Sequence, residues 1–244
     1  MGYVKMKISY IIPFRNRDKQ RLVNCLNSLF DQTYPEEMIE VILSVYGGDK
    51  PLDKKYLSDN LKQIYTKTDN VWNRGKALNV GIKHATGDII VCTDVDMIFS
   101  EDVVEKTVDI FRKNKLSYVY SNFTMMDKDK WTNSYINNQD LKDYVNENNN
   151  FTMVGTGGYQ AMYRDMWYKL KGYKHKYKGW GMEDIDLFKR ALTFCKLVRL
   201  NDVIILHQWH ISEIDKAREE NNLALLDVIE NNNGDNIGRG VGDL

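Results

Sequence analysis

The chain has 244 residues, 43% of them hydrophobic and 28% charged, enough to bury the core of one α/β catalytic domain. Its 34 basic and 34 acidic residues cancel, which excludes the broad positive field of a nucleic-acid binder, so any anion must be bound locally. Cys25, Cys92 and Cys195 are too scattered for a disulfide framework or a cysteine zinc site, and no stretch reaches the roughly 20 apolar residues of a membrane span.

In chain order, residues 8–14 (ISYIIPF) form a short apolar run ended by polar residues, as a buried parallel strand feeding a loop requires. Leu22, Cys25, Leu26, Leu29 and Phe30 then recur at helical spacing, and residues 39–45 read as a second buried strand. Residues 52–61 are expected to form a surface helix, 63–65 a short strand, and 74–85 an amphipathic helix. A third apolar strand, residues 89–93, delivers Asp94 and Asp96 at its carboxyl end, where open parallel sheets place ligand-binding groups. Strands alternating with helices predict a doubly wound half over about residues 1–122.

Residues 124–150 are rich in Asn, Asp and Lys and read as a surface excursion with a short helix at 140–147. From residue 151 the chain becomes glycine-rich and aromatic, the composition of a site-building half that runs to about residue 230. Helical periodicity is expected at 183–194, a strand at 203–206 and one last amphipathic helix at 212–230; residues 231–244 read as a flexible tail or a lid.

Four clusters carry chemistry. Asp94, Val95 and Asp96 put two carboxylates just after a buried strand, which is costly without a cation beside them; the bland alternative is a turn with two solvated acids. His207 and His210, in LHQWH, also follow an apolar strand, and imidazole with carboxylate makes a mixed N/O site that suits Mn²⁺ better than Mg²⁺. His210 is the first choice of ligand and His207 the second, and either alone could be structural. Glu183, Asp184 and Asp186 open a helix after Gly179, Trp180 and Gly181; they could merely favour the helix dipole, yet an acid here could act as general base, and Asp184 is the candidate. Finally, Pro13, Phe14, Arg15, Asn16 and Arg17 share a predicted sheet edge with Trp72, Asn73, Arg74, Gly75 and Lys76, where cations could neutralise phosphates and Phe14 or Trp72 could stack on a base.

Together PFRNR, WNRGKALNVG, TDVDM, GTGGYQAMYRDMW, GWGMEDIDLFKR and HQWH resemble the β-1,4-galactosyltransferase family, collinearly over about 200 residues. The set is also similar to the wider group of inverting GT-A transferases, including bacterial chondroitin-type polymerases and polypeptide GalNAc-transferases. The resemblance implies a GT-A fold, a UDP-sugar donor, Mn²⁺ and inversion at the anomeric carbon. By position it assigns Pro13, Phe14, Arg15, Arg17, Trp72 and Arg74 to uridine or its phosphates, and Asp94 and Val95 to the donor side of the metal. Asp96, His210 and His207 become the Mn²⁺ ligands. Gly157, Gly158, Trp180 and Glu183 fall to sugar or acceptor, and Asp184 to the base.

Departures from the family pattern bear on specificity. Met182 stands where the family has a second glycine, and Gly155 stands where galactose-specific members tend to be aromatic, so UDP-GalNAc or UDP-GlcNAc fits as well as UDP-Gal. Trp131, Tyr135, Tyr159 and Trp180 are the expected acceptor walls. With no Golgi-type anchor or stem in this sequence, a cytoplasmic bacterial or viral enzyme acting on a glycan or glycoconjugate, or a trimmed piece of an anchored one, is expected. The rival readings are a sugar nucleotidyltransferase, whose glycine-rich loop PFRNR does not supply, and a carbohydrate-binding protein with a decayed site.

Overall fold

In the computed structural model, residues 5–128, 136–147, 152–153, 157–220, 222–232 and 237–244 are described. The first half runs β1 (Ile8–Phe14), α1 (Lys19–Phe30), β2 (Ile39–Tyr46), β3 (Leu61–Thr66), α2 (Arg74–His84), β4 (Ile89–Thr93), β5 (Met97–Phe99), α3 (Val103–Lys113) and β6 (Ser117–Tyr120). It continues through β7 (Phe123–Met125), α4 (Asn138–Glu147), β8 (Thr152–Met153), β9 (Tyr159–Tyr163), α5 (Arg164–Leu170), α6 (Glu183–Ala191), β10 (Lys196–Arg199), β11 (Ile205–His207), α7 (Glu213–Glu219) and α8 (Leu223–Glu230).

Seven strands form a sheet in the order β10-β6-β9-β4-β1-β2-β3, parallel except for β9, which runs antiparallel to both β4 and β6. The expected α/β class with a mostly parallel sheet is therefore present. Because β1 is buried on both faces, its residues split between two cores by the period of two. Ile8, Tyr10, Ile12 and Phe14 pack with Leu22 and Leu29 of α1 and Val104 and Phe111 of α3. Ile11 faces the other way, with Leu78 and Ile82 of α2, Trp167 of α5 and Leu187 of α6.

A smaller sheet has the order β5-β11-β7-β8, and its β5 follows closely on the carboxyl end of β4. In it β11 pairs antiparallel with β5, setting His207 opposite Met97, and parallel with β7.

Three sequence expectations are corrected. Residues 52–61 hold only a single tight turn at Lys54–Tyr56, and Leu61 already opens β3. The helix expected at 212–230 is two helices, because Asn222 turns its side chain back to accept from Leu225 N and starts α8 afresh. The tail is not loose along residues 237–244. Gly238 N donates to Asp186, Gly242 N to the Leu170 carbonyl and Leu244 N to the Lys171 carbonyl, while Asp243 accepts from His175 N. Among the described residues, no helix is long and apolar enough to cross a membrane.

Candidate active site

The acid and the two histidines are delivered at strand ends. β4 stops at Thr93, Val95 turns inward to 4% exposure, and Asp96 is carried directly into β5. The β5–β11 ladder then brings the second motif alongside, with Gln208 N donating to the Asp96 carbonyl at 2.8 Å. His207 Nε2 lies 3.5 Å from one carboxylate oxygen of Asp96 and His210 Nε2 lies 3.1 Å from the other. The Asp96 side chain is nearly buried, and burial alone would raise its pKa; His207, the hydrogen bond from His210 and the Arg17 charge instead hold it well below the usual carboxylate range. At His210 burial favours the neutral ring, but Asp96 outweighs it and raises the pKa.

These three residues can each offer one ligand atom within 4.8 Å of the others. Two buried polar atoms among them, Asp96 Oδ1 and His207 Nδ1, have no hydrogen-bond partner among the described residues, a costly state for a site that holds nothing. His210 Nδ1 is 2.7 Å from the Ile211 carbonyl, and a proton there leaves Nε2 as a lone-pair donor, as second-shell bonds to ligating histidines do. One carboxylate and two imidazoles fit a divalent transition metal such as Mn²⁺.

Asp94 points elsewhere. Its Oδ1 accepts from Arg74 Nε at 2.7 Å; Arg74 Nη1 reaches Glu183 at 3.3 Å and Nη2 donates to the Gly157 carbonyl at 2.8 Å. Arg74, expected on the phosphates, thus braces the carboxyl end of β4 against α6. Burial pushes the Glu183 carboxyl up to about 7, against the pull of Arg74 and with the help of the neighbouring Asp184 charge. Asp184 itself is half-buried, and a Cβ on Gly157 would come within 2.9 Å of its Oδ2, so a larger residue there would push this carboxylate aside. Gly158 is a packing glycine: a Cβ there would meet Met97 at 2.7 Å, and its carbonyl accepts from Thr93.

The PFRNR loop divides. Pro13 and Phe14 are the last residues of β1 and are buried, Phe14 to 3% exposure, so the expectation that Phe14 stacks on a base is corrected. The Arg17 charge is felt at Asp96, whose pKa it helps to lower. Arg15 instead donates from Nη1 to the Asn70 carbonyl, tying the loop after β3. Trp72 packs edge-on against Tyr46, with ring centroids 6.1 Å apart, and its carbonyl accepts from Gly179 N. That bond joins the loop before α2 to the Gly-Trp-Gly turn, where Trp180 is 54% exposed. Tyr159, expected on the acceptor wall, is instead a core residue whose hydroxyl bonds Tyr10 and Thr107. Trp131, Tyr135 and Gly155 lie outside the described residues.

Two supporting groups escaped the sequence reading. Gln208, between the histidines, is fully buried, accepts from Asn24 of α1 and donates to the Arg21 carbonyl. Asn232, after α8, donates to the Lys178 and Trp180 carbonyls and holds the Gly-Trp-Gly turn from outside. A polar residue inside an otherwise aromatic or aliphatic run was the only signal for Gln208, and Asn232 gave none.

A mostly parallel sheet with a buried acid, two imidazoles and an arginine at its carboxyl edge has the layout of nucleotide-binding α/β proteins. The chain belongs to Glycosyl transferase family 2, which it matches over residues 9–170, and residues 143–202 match the N-terminal domain of galactosyltransferase. Beta-1,4-galactosyltransferase 1 of Bos taurus is 27% identical over 220 residues, 88% of this chain and 44% of that protein. Among solved structures, S. aureus TarS 1-349 in complex with UDP-GlcNAc is similar with a TM-score of 0.65 at 18% identity, over 94% of this chain and 68% of that one. GalNAc-T7 with UDP, GalNAc and Mn2+ is similar with a TM-score of 0.61 at 15% identity, over 85% of this chain and 45% of that one. These likenesses establish the GT-A fold. The chain spans 35% to 60% of the length of the first curated relatives it matches.

Proposed function

We propose that this protein transfers a hexose or N-acetylhexosamine from a UDP-sugar, namely UDP-Gal, UDP-GalNAc or UDP-GlcNAc, to a hydroxyl of a glycan acceptor, with Mn²⁺ and with inversion. The observation that carries this reading is the cluster of Asp96, His207 and His210 beside Arg17, with Asp184 positioned from α6. Asp96, His210 and His207 would hold the metal, whose charge when bound supplies electrostatic stabilisation for the departing diphosphate. Arg17 adds a fixed positive charge on the same side.

In the proposed step the acceptor oxygen bonds to the anomeric carbon from the face opposite UDP. The bond from that carbon to the diphosphate oxygen breaks, and UDP leaves with the electron pair. Asp184 takes the hydroxyl proton. It suits that task better than Glu183, which is buried and engaged by Arg74, whereas Asp184 is only half-buried beside Gly157, with Oδ1 accepting from Ile185 N. Trp180 offers an exposed aromatic face for a sugar ring.

The test is UDP release from the three donors with Mn²⁺, with and without oligosaccharide acceptors. Asp184→Asn is expected to lose roughly 10²- to 10⁴-fold in transfer while still binding UDP and Mn²⁺. Near wild-type transfer by that variant would refute the base assignment. Binding of sugars without any donor turnover would favour a carbohydrate-binding protein, and release of pyrophosphate a nucleotidyltransferase.

A further inference from the structure

Behind α2 lies a cavity of about 330 Å³ lined by Tyr46 and Thr66 at the ends of β2 and β3, by Lys67 and Asn70, by Lys76 and Lys83 of α2, and by His175. Helix geometry separates it from the candidate active site. At 100° per residue, Lys76, Asn79, Val80 and Lys83 share one face of α2, centred roughly opposite Arg74. The cavity and the brace to Asp94 therefore use opposite sides of one helix.

Its charge is one-sided. In a chain whose formal charges sum to zero, three lysines line one cavity and no carboxylate does. None of the three has an ion-pair partner among the described residues. Asp69 lies in the same loop as Lys67 and is exposed, and Asp243 accepts from the backbone N of His175 rather than from a lysine. Burial holds the His175 ring toward its neutral form, as do Lys76 and Lys83 against the opposing pull of Asp243, so these lysines are close enough to be felt there. Three like charges around one hollow repel one another and favour a dianion between them.

The walls point to more than an ion. Asn79 is committed, donating to the Tyr173 carbonyl and bonded to His175 Nε2, so it fixes the wall and binds nothing else. The Thr66 hydroxyl has no partner among the described residues, and Asn70 is exposed at the rim. Tyr46 and Val80 supply apolar surface, and the volume is at the lower end of those that hold small molecules.

We propose that this cavity is a binding site for a phosphorylated sugar, the phosphate held by Lys67, Lys76 and Lys83 and the ring lying against Val80. Ammonium groups are compact point charges suited to phosphate, and the hydroxyl and amide at the rim match a polyhydroxylated ring. The site lies on the face of α2 opposite Arg74 and stands whether or not the proposed transfer reaction does.

The test is calorimetric titration of the full chain with glucose 6-phosphate at low salt without metal, repeated in the presence of UDP. Binding is expected to survive UDP and to be at least tenfold weaker for inorganic phosphate and for glucose. The double variant Lys67→Ala/Lys83→Ala, with both lysines exposed, should keep its melting temperature and UDP affinity while losing at least tenfold for glucose 6-phosphate. Lys67→Arg/Lys83→Arg should restore most of that loss. No binding by the wild type, displacement by UDP, or full binding by the alanine variant would each overturn the proposal. Donor turnover is measured separately, so failure here leaves the transfer reaction standing and the reverse holds too.

Discussion

Arg74 is the residue on which the two halves of the site depend. Its guanidinium spends three N–H groups on three partners, Asp94 after β4, the Gly157 carbonyl before β9, and Glu183 at the start of α6. Lysine offers a similar charge but no fork, so it can satisfy only part of this set. Truncation leaves Asp94 and the buried Glu183 without their cation. Arg74→Ala is expected to lower stability by about 3–5 kcal/mol in urea denaturation, the usual cost of breaking a buried pair from one side, and Arg74→Lys by less. A loss near zero for the alanine variant would mean that the brace is not what holds α6. The sequence showed that Arg74 mattered but not to what, because a cation beside a predicted sheet edge suits a phosphate and an internal acid equally. Asp96, His207 and His210 were legible for a simpler reason: each follows an apolar strand, and polar groups at strand ends converge. Phe14 reads as part of its strand, but that its ring turns into the core with Leu22 and Leu29 of α1 is set by packing that the local sequence does not show.

Elements carry this site only if they are held to one another. α1 contributes no ligand, yet its Asn24 donates to Gln208 at 3.0 Å, and Gln208 Nε2 returns to the Arg21 carbonyl of the same helix. Both side chains are buried, and they fix the segment between the two histidines. Gln208→Ala leaves Asn24 unsatisfied, a cost of about 1–3 kcal/mol. It should also weaken Mn²⁺ binding roughly 10- to 100-fold, the range for groups that orient metal ligands. Electron paramagnetic resonance titration of free Mn²⁺ reads this without turnover, and unchanged affinity would reduce Gln208 to a core residue. Such a clamp joins positions 184 apart in sequence, so no local pattern announces it. The opposite error came from residues 52–61 and 212–230, where composition permits helix. Leu61 is instead claimed by pairing with Val41, and Asn222 caps a new helix by bonding its own backbone.

Across the whole molecule, the sheet has a working end and a holding end. β1, β2 and β4 were legible because a strand buried on both faces reads as an unbroken apolar run, whereas β9, inserted antiparallel between β4 and β6, depends on pairing over long separations. The holding end is organised by Glu40 near the start of β2, whose side chain is fully buried. It accepts from Ser9 of β1, from Thr86 N and Oγ1 before β4, and pairs with Lys62 of β3 at 2.7 Å. Burial would raise its pKa, but these hydrogen bonds and Lys62 bring it down to about 2 from an ordinary 4.5. A carboxylate depressed by folding stabilises the native state above its unfolded pKa and loses that contribution as pH falls toward the folded value. At about 1.4 kcal/mol per pKa unit, Glu40 contributes on the order of 3 kcal/mol at neutral pH. Glu40→Gln is therefore expected to be less stable than the wild type by about that amount at pH 7. The gap should narrow as pH falls from about 4.5 toward 2, where both proteins carry a neutral group. Urea midpoints measured across this window provide the check, and a gap independent of pH would assign the loss to packing rather than to charge.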